Sequence, residues 1–408
     1  MSPEPLARFG AILDELAAGA AERDRERRLP REGLQALAAA GFGALRVPVV
    51  HGGAGLRVPE LAAAWVELAT ADPNAAQALR GHFAFAEDRL AAGDAEWLAR
   101  IAAGELVGNA WSETGNALGS FGTRVRPEGG HWTVDGRKYY TTGSIFADWI
   151  DATVTGPDGE ELTAIVRSAQ PGVTISDDWD GFGQRTTGTG TIVFEGARVE
   201  RAELRPFADR FRYQTAFYQL TLLAVLAGIA RRVELDLGEQ LRTRSRVFSH
   251  GNAGSARQDP QLLAVAGRAS ATAFAAAAIV QRVAEAVQRA ADTAAERDSD
   301  THRDAVQEAE IASAQGQIVL TRAVPEAATL LFDALGASAT GGGRELDRHW
   351  RNARAVASHN PVLFKERIVG NWSVNGEAED PVWAIGVSAE SAAAAETPTA
   401  PPPSKERE

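Results

Sequence analysis

The chain has no cysteine in 408 residues, which removes disulfides, thiol nucleophiles, thiolate zinc sites and iron–sulfur clusters in one step. It also lacks a basic surplus. Against 54 Asp and Glu stand 42 Lys and Arg, a net charge of −12, with no local basic cluster to hold a nucleic acid or an anionic membrane. Long apolar runs are missing too: Phe217 to Ala230 and Ala269 to Val280 are the longest, and polar residues interrupt both. Neither a membrane span nor a secretory signal is expected, and a cytoplasmic address fits. No complete G-x-G-x-x-G, G-x-x-x-x-G-K-[ST], H-E-x-x-H, G-x-S-x-G or EF-hand loop occurs, so the phosphate-cradle, zincin, serine-hydrolase and calcium classes lack their minimum parts. The seven histidines include no i, i+4 pair, and no metal site is expected.

What is present divides the chain in three. Residues 1–104 read as helical: an amphipathic stripe (Leu6, Phe9, Ile12, Leu13, Leu16) runs from Glu4 to about Arg28, and a new helix starts at Leu29-Pro30 and ends near Gly41. Between 105 and 206 short β-branched and aromatic runs alternate with Gly-rich turns, and Glu128-Gly129-Gly130 and Pro157-Asp158-Gly159 have hairpin chemistry. From 207 to 387 an alanine-rich helical pattern returns, broken near Ser249 to Pro260 and at Gly336 to Gly343, which predicts an antiparallel bundle. The tail, 388–408, with Pro401-Pro402-Pro403, is too polar to order itself.

Two stretches exceed what packing requires. Gly108-Asn109-Ala110-Trp111-Ser112-Glu113 with Gly119-Ser120, then Gly136 to Ser144, offers amides and hydroxyls beside aromatic rings, suited either to a planar heterocycle or to ordinary β-turn chemistry. Asp347 to Arg354, followed by Ser358-His359-Asn360-Pro361, sets Arg348, Arg351, Asn352 and Arg354 at helical spacing and leaves His359 at the carboxyl end. Helix-end carbonyls favour a protonated imidazole there, able to deliver a proton near neutral pH. The alternative is that the arginines form surface ion pairs and His359 caps the helix.

The order of these pieces resembles the acyl-CoA dehydrogenase fold, an α+β architecture of helical domain, β-domain and helical bundle. The motifs are Leu29-Pro30, Gly41 to Pro48, His51 to Gly55, Ser112-Glu113 with Gly119-Ser120, Gly136 to Thr142, and Gly183 to Gly188. The resemblance places Asn360 and Tyr218 where dehydrogenases of the family keep their carboxylate base, and neither can serve as one. The run around His359, with Lys365 and Gly370 to Gly376, instead looks like the flavin-dependent monooxygenase branch, which includes dibenzothiophene monooxygenases, sulfur-acquisition oxidoreductases and amine N-hydroxylases.

That branch implies a two-component enzyme: a separate reductase supplies reduced FMN, or FAD, which meets dioxygen as a flavin hydroperoxide and oxygenates a small, mostly apolar organosulfur or amine substrate. By position, His359, Asn109 and Ser144 match catalytic groups. Trp111, Ser112, Ser120, Tyr140, Thr142 and Trp179 match flavin-framing positions, with Thr142 and Ser144 both candidates for the redox-active edge. Arg246, or Arg244 if the register shifts by two, matches the phosphate grip, and His82 a substrate-side position. Val356 and Ser338 stand where the thiophene-oxidising members carry histidine and arginine, which argues against thiophene substrates. The fold implies a homotetramer. The competing readings are a flavin dehydrogenase with an unusual base and a non-catalytic scaffold.

Overall fold

The structure, a computed structural model, describes residues 4–113 and 122–377. Seven helices open the chain: α1 (Glu4–Ala7), α2 (Gly10–Glu26), α3 (Arg31–Ala39), α4 (Val58–Ala71), α5 (Pro73–Ala78), α6 (Arg80–Ala91) and α7 (Ala95–Ala102). The single first helix expected from the apolar stripe is two, and α2 stops where Arg27 turns left-handed at φ 54°. Asp72 both ends α4 and starts α5: its carboxylate accepts the N–H groups of Asn74 and Ala75, and Pro73 fills the first helical position.

Eight strands follow: β1 (Val107–Ala110), β2 (Arg124–Glu128), β3 (His131–Lys138), β4 (Trp149–Thr155), β5 (Glu161–Arg167), β6 (Val173–Ile175), β7 (Ile192–Val199) and β8 (Leu204–Pro206). They form one sheet in the order β6-β7-β3-β2-β4-β5-β8, with β1 added parallel to β4. Both expected hairpins close, joining β2 to β3 and β4 to β5. Strands β1, β6 and β8 had no sequence signal, because three or four residues are too few for an alternation to stand out.

The bundle comprises α8 (Gln214–Thr243), α9 (Pro260–Asp292), α10 (Asp300–Leu335), α11 (Asp347–Ala357) and α12 (Leu363–Asn375). The break between α9 and α10 contains neither Gly nor Pro and escaped the sequence reading. Side chains make it: the Ser299 hydroxyl accepts the His302 N–H at 3.1 Å, and Thr293 Oγ1 meets His302 Nδ1 at 2.9 Å. By length and composition α9 is apolar enough to cross a membrane, which the shorter runs did not suggest, but Ala273, Ala276, Val280 and Val287 pack it into the bundle.

Two sets of aromatic contacts fix the junction of these regions, and a separate cluster fills the sheet. Trp65 of α4 packs edge-on against Phe83 of α6 (5.1 Å between centroids) and Phe217 of α8 (5.6 Å), tying the first helices to the bundle. Val125, Val134, Ile150 and Phe194 fill the sheet. Phe85, Trp97 and Trp149 stack edge to face at 5.0 and 5.3 Å where α6 and α7 meet β4. The tail expected to be disordered, 388–408, lies outside the described residues.

Candidate active site

The starts of α6 and α8, strand β1 and the end of α11 converge at this junction. On β1, Asn109 lies against the backbone of Gly81. A Cβ on Gly81 would stand 2.6 Å from Asn109 Oδ1, so only glycine lets helix and strand approach this closely. The Asn109 Oδ1 is buried and has no hydrogen-bond partner. Beside it, Trp111 meets Tyr218 of α8 edge-on at 5.3 Å, and the Arg80 guanidinium lies over the Tyr218 ring at 5.2 Å. Burial pushes the Tyr218 phenol up to about 12, and its Oη is also unpartnered. Arg210 covers the Trp111 ring at 4.4 Å and is held by Asp151 at 2.9 Å.

His359 follows the end of α11, where its N–H bonds to Val356 O at 3.1 Å. The imidazole is open to solvent, yet protein crowds it closely enough that desolvation, with the Arg80 cation adding to it, pushes it down to about 3. Both effects favour the neutral ring, against the helix-end carbonyls, which favour the protonated one.

The two hydroxyl candidates separate. Ser144 is wholly buried and donates to the Asn109 backbone oxygen at 3.0 Å, so it braces β1 from behind and presents no hydroxyl to a ligand. Thr142 belongs to a chain in which Thr187 donates to Gln184 O (3.1 Å), Thr189 to Thr187 (2.7 Å) and Thr142 to Thr189 (2.9 Å). With the proton of Thr142 directed to Thr189 or, at 3.5 Å, to Tyr140 O, its oxygen keeps a lone pair to accept with. Tyr140, at φ 57° and 55% exposed, faces Trp179 edge-on at 6.3 Å, and Trp179 Nε1 donates to Gly183 O at 3.0 Å. Ser112 bridges to Tyr139, whose N–H it accepts at 2.9 Å, and Ser120 lies outside the described residues.

Two further expectations are corrected. His82 has both ring nitrogens on backbone partners, Nε2 to Gly43 O at 3.0 Å and Nδ1 to Val107 N at 3.2 Å, and burial pushes it down to about 4. It pins α6 to β1 and is withdrawn as a substrate residue. Arg246 lies beyond the far end of α8, roughly 37 Å along the helix axis from Tyr218 at 1.5 Å per residue, and Arg244 is engaged with Leu335 O. Neither reaches the junction within one chain.

Three features were missed. Glu113 and Lys138, halves of two separate motifs, form one buried ion pair at 2.5 Å, and Glu113 also takes the N–H groups of Gly122 and Thr123. Burial pulls Lys138 down to about 8. Glu310 of α10 accepts the Ala216 N–H at 2.7 Å, and burial pushes its carboxyl up to about 8. Arg80 had only an odd charge in an apolar stretch as its signal. Two of the α11 arginines turn inward, Arg348 reaching Asp236 at 3.2 Å and Arg351 reaching Asp24 at 2.5 Å, while Arg354 is exposed.

Family models match consecutive parts of the chain: the acyl-CoA dehydrogenase N-terminal domain over 10–105, the middle domain over 110–197 and the C-terminal domain over 220–363. The chain belongs to the acyl-CoA dehydrogenase family. A Pseudomonas putida protein named as a probable FMNH2-dependent monooxygenase, SfnC, is 27% identical over 398 residues, 93% of this chain and 97% of its own length. The solved methanesulfinate monooxygenase MsuC from Pseudomonas fluorescens superposes with a TM-score of 0.81 at 26% identity, covering 93% of this chain and 99% of MsuC. TdsC from Paenibacillus sp. A11-2, solved with FMN and indole, also gives 0.81, at 29% identity over 92% of this chain and 99% of TdsC.

Proposed function

We propose that this protein is a reduced-flavin-dependent monooxygenase acting on a small organosulfur or amine substrate, with reduced FMN supplied by a separate reductase. One observation carries the reading: at the two positions where a dehydrogenase of this family keeps its base stand Asn360, an amide, and Tyr218, a phenol pushed up to about 12. Neither accepts a carbon-bound proton at neutral pH. The residues fit a flavin. Trp111, Tyr140 and Trp179 supply aromatic framing, Thr142 offers an acceptor oxygen, and Asn109 has amide capacity that no protein group uses.

When bound, reduced FMN supplies the two electrons that divide dioxygen between substrate and water. The chain's own task is to exclude solvent and hold one proton. A neutral His359 keeps one N–H to orient a ligand oxygen, and negative charge arriving beside it would offset Arg80 and raise its proton affinity. Ser144 and Gly81 act through Asn109 as positioning residues.

The expected cytoplasmic homotetramer is part of the same proposal. Phe274 on α9 is 77% exposed and Leu363 on α12 is 76% exposed, surfaces that further copies would cover. A second chain would then supply Arg246.

His359→Ala tests the reading. It should keep flavin binding but lower the ratio of oxygenated product to released hydrogen peroxide by roughly a hundredfold. An unchanged ratio would remove His359 from the mechanism. Anaerobic reduction of bound oxidised flavin by an acyl thioester would restore the dehydrogenase reading.

A further inference from the structure

Four arginines are buried among the described residues: Arg23, Arg80, Arg89 and Arg210. Three have a carboxylate: Asp72 at 2.7 Å for Arg23, Asp88 for Arg89, and Asp151 at 2.9 Å for Arg210. Arg80 is the exception. It is 7% exposed, its Nε has no partner, and no hydrogen bond or ion pair holds the guanidinium among the described residues. Its one ordered contact is the face of Tyr218. A guanidinium stays charged in a protein, and hiding one without a counter-charge destabilises the fold unless an anion arrives.

The surroundings say where that anion would sit. Arg80 opens α6 beside Gly81, against which the free Asn109 Oδ1 rests, and its charge is felt at His359. The group it waits for therefore lies beside the candidate reacting centre. A guanidinium without a carboxylate partner matches two oxygens of one head group, the geometry of a carboxylate or a sulfinate.

We infer that Arg80 is the receptor for a negatively charged head group on the substrate, so that the substrate is a small organic oxyanion and not a neutral molecule. The inference rests on the monooxygenase reading for the fate of that substrate, but not for its binding. Arg80 is thus a specificity-determining residue, and the apolar Tyr218 and Trp111 rings would take the organic body.

The test is binding to the full-length protein without turnover, by titration calorimetry. An alkanesulfinate, a carboxylate of matched chain length and the neutral sulfoxide of the same skeleton serve as probes. At least one anion should bind saturably and the sulfoxide at least about tenfold more weakly, with Arg80→Met weakening the anion by about tenfold or more and leaving the sulfoxide unchanged. The stronger of the two anions names the head group. Equal affinity for sulfoxide and anions, or no saturable binding of either anion at millimolar concentration, would overturn the inference. A further arm measures anaerobic binding of reduced FMN: if Arg80→Met weakens FMN and not the anions, the guanidinium serves the flavin and the inference fails.

Arg80→Met should also melt at a higher temperature than the parent chain, because an unpaired buried charge is gone; a lower melting temperature counts against a residue kept for its ligand. If the anions bind through Arg80 but no oxygenated product forms with reduced FMN and air, the monooxygenase reading falls while the receptor stands.

Discussion

Two buried groups of charge lie at opposite ends of α11, and they differ in whether the charges are matched. At its start, Asp236 takes Arg232, Arg348 at 3.2 Å and His349 at 2.7 Å, while Asp24 takes Arg351 and, nearby, Asp72 takes Arg23. Each guanidinium there has a carboxylate in reach, and the pairs join α2, α8 and α11 to Asp72 between α4 and α5. Just past the other end, among the described residues, Arg80 has no carboxylate and Asn109 Oδ1 and Tyr218 Oη have no hydrogen-bond partner. A matched buried cluster fixes orientation between elements; an unmatched one is a standing destabilisation that persists where a ligand makes up the difference.

The comparison breaks most easily at Asp236. Burial opposes its ionisation, but the His349 N–H and the two guanidinium groups hold it well below the usual carboxylate range. Asp236→Ala leaves Arg232, Arg348 and His349 without a counter-charge, and the expected loss is about 3–5 kcal/mol in denaturant unfolding. Arg80→Met, an equally buried charge removal at the other end, should move stability in the opposite direction. A loss below about 1 kcal/mol at Asp236 would erase the distinction between the two clusters.

Acid sharpens the same contrast. His82 and His349 are buried and each is pushed down to about 4 from an ordinary 6.5, His349 donating Nε2–H to Asp236 as a neutral ring. A histidine depressed in the fold takes its proton in the unfolded chain first, so its contribution is complete above pH 6.5 and is lost as pH falls toward 4. Between pH 6 and 5 the two together should lower stability by about 2–3 kcal/mol per pH unit. Urea midpoints measured at pH 7, 6 and 5 check this: half the slope would mean that one ring already carries a proton, and a flat profile down to pH 5 that both do.

The sequence made the scaffold legible more readily than the site. Proline at 30, glycine at 41 and the two Gly-containing hairpins mark boundaries by local chemistry, which the chain carries in itself. Asn109 and His359 could be named because they sit inside recognisable runs. Whether His359 is charged could not be read, since Arg80 approaches it from 279 residues away in sequence. The Glu113–Lys138 pair was visible as two motifs but not as one contact, for the same reason. Arg80 did leave a trace: within Asn74 to Ala86, a segment buried almost throughout, it is the one charged residue, where an ordinary arginine would face solvent.

The smallest effect is expected at Glu310, the carboxyl that a dehydrogenase reading would need. It accepts the Ala216 N–H in the first turn of α8, while Tyr218 faces Arg80 and Trp111. Burial pushes its carboxyl toward the protonated form, with the Lys365 cation opposing, and a neutral amide of the same shape replaces it with little change. Glu310→Gln keeps an acceptor for Ala216 and should alter stability by less than about 1 kcal/mol and the yield of oxygenated product by less than about twofold. If the variant instead lost about a hundredfold in rate, and with it a limb of the pH–rate profile near 8, Glu310 would be the base that Asn360 and Tyr218 cannot be. The unmatched cluster would then be a bystander to proton abstraction.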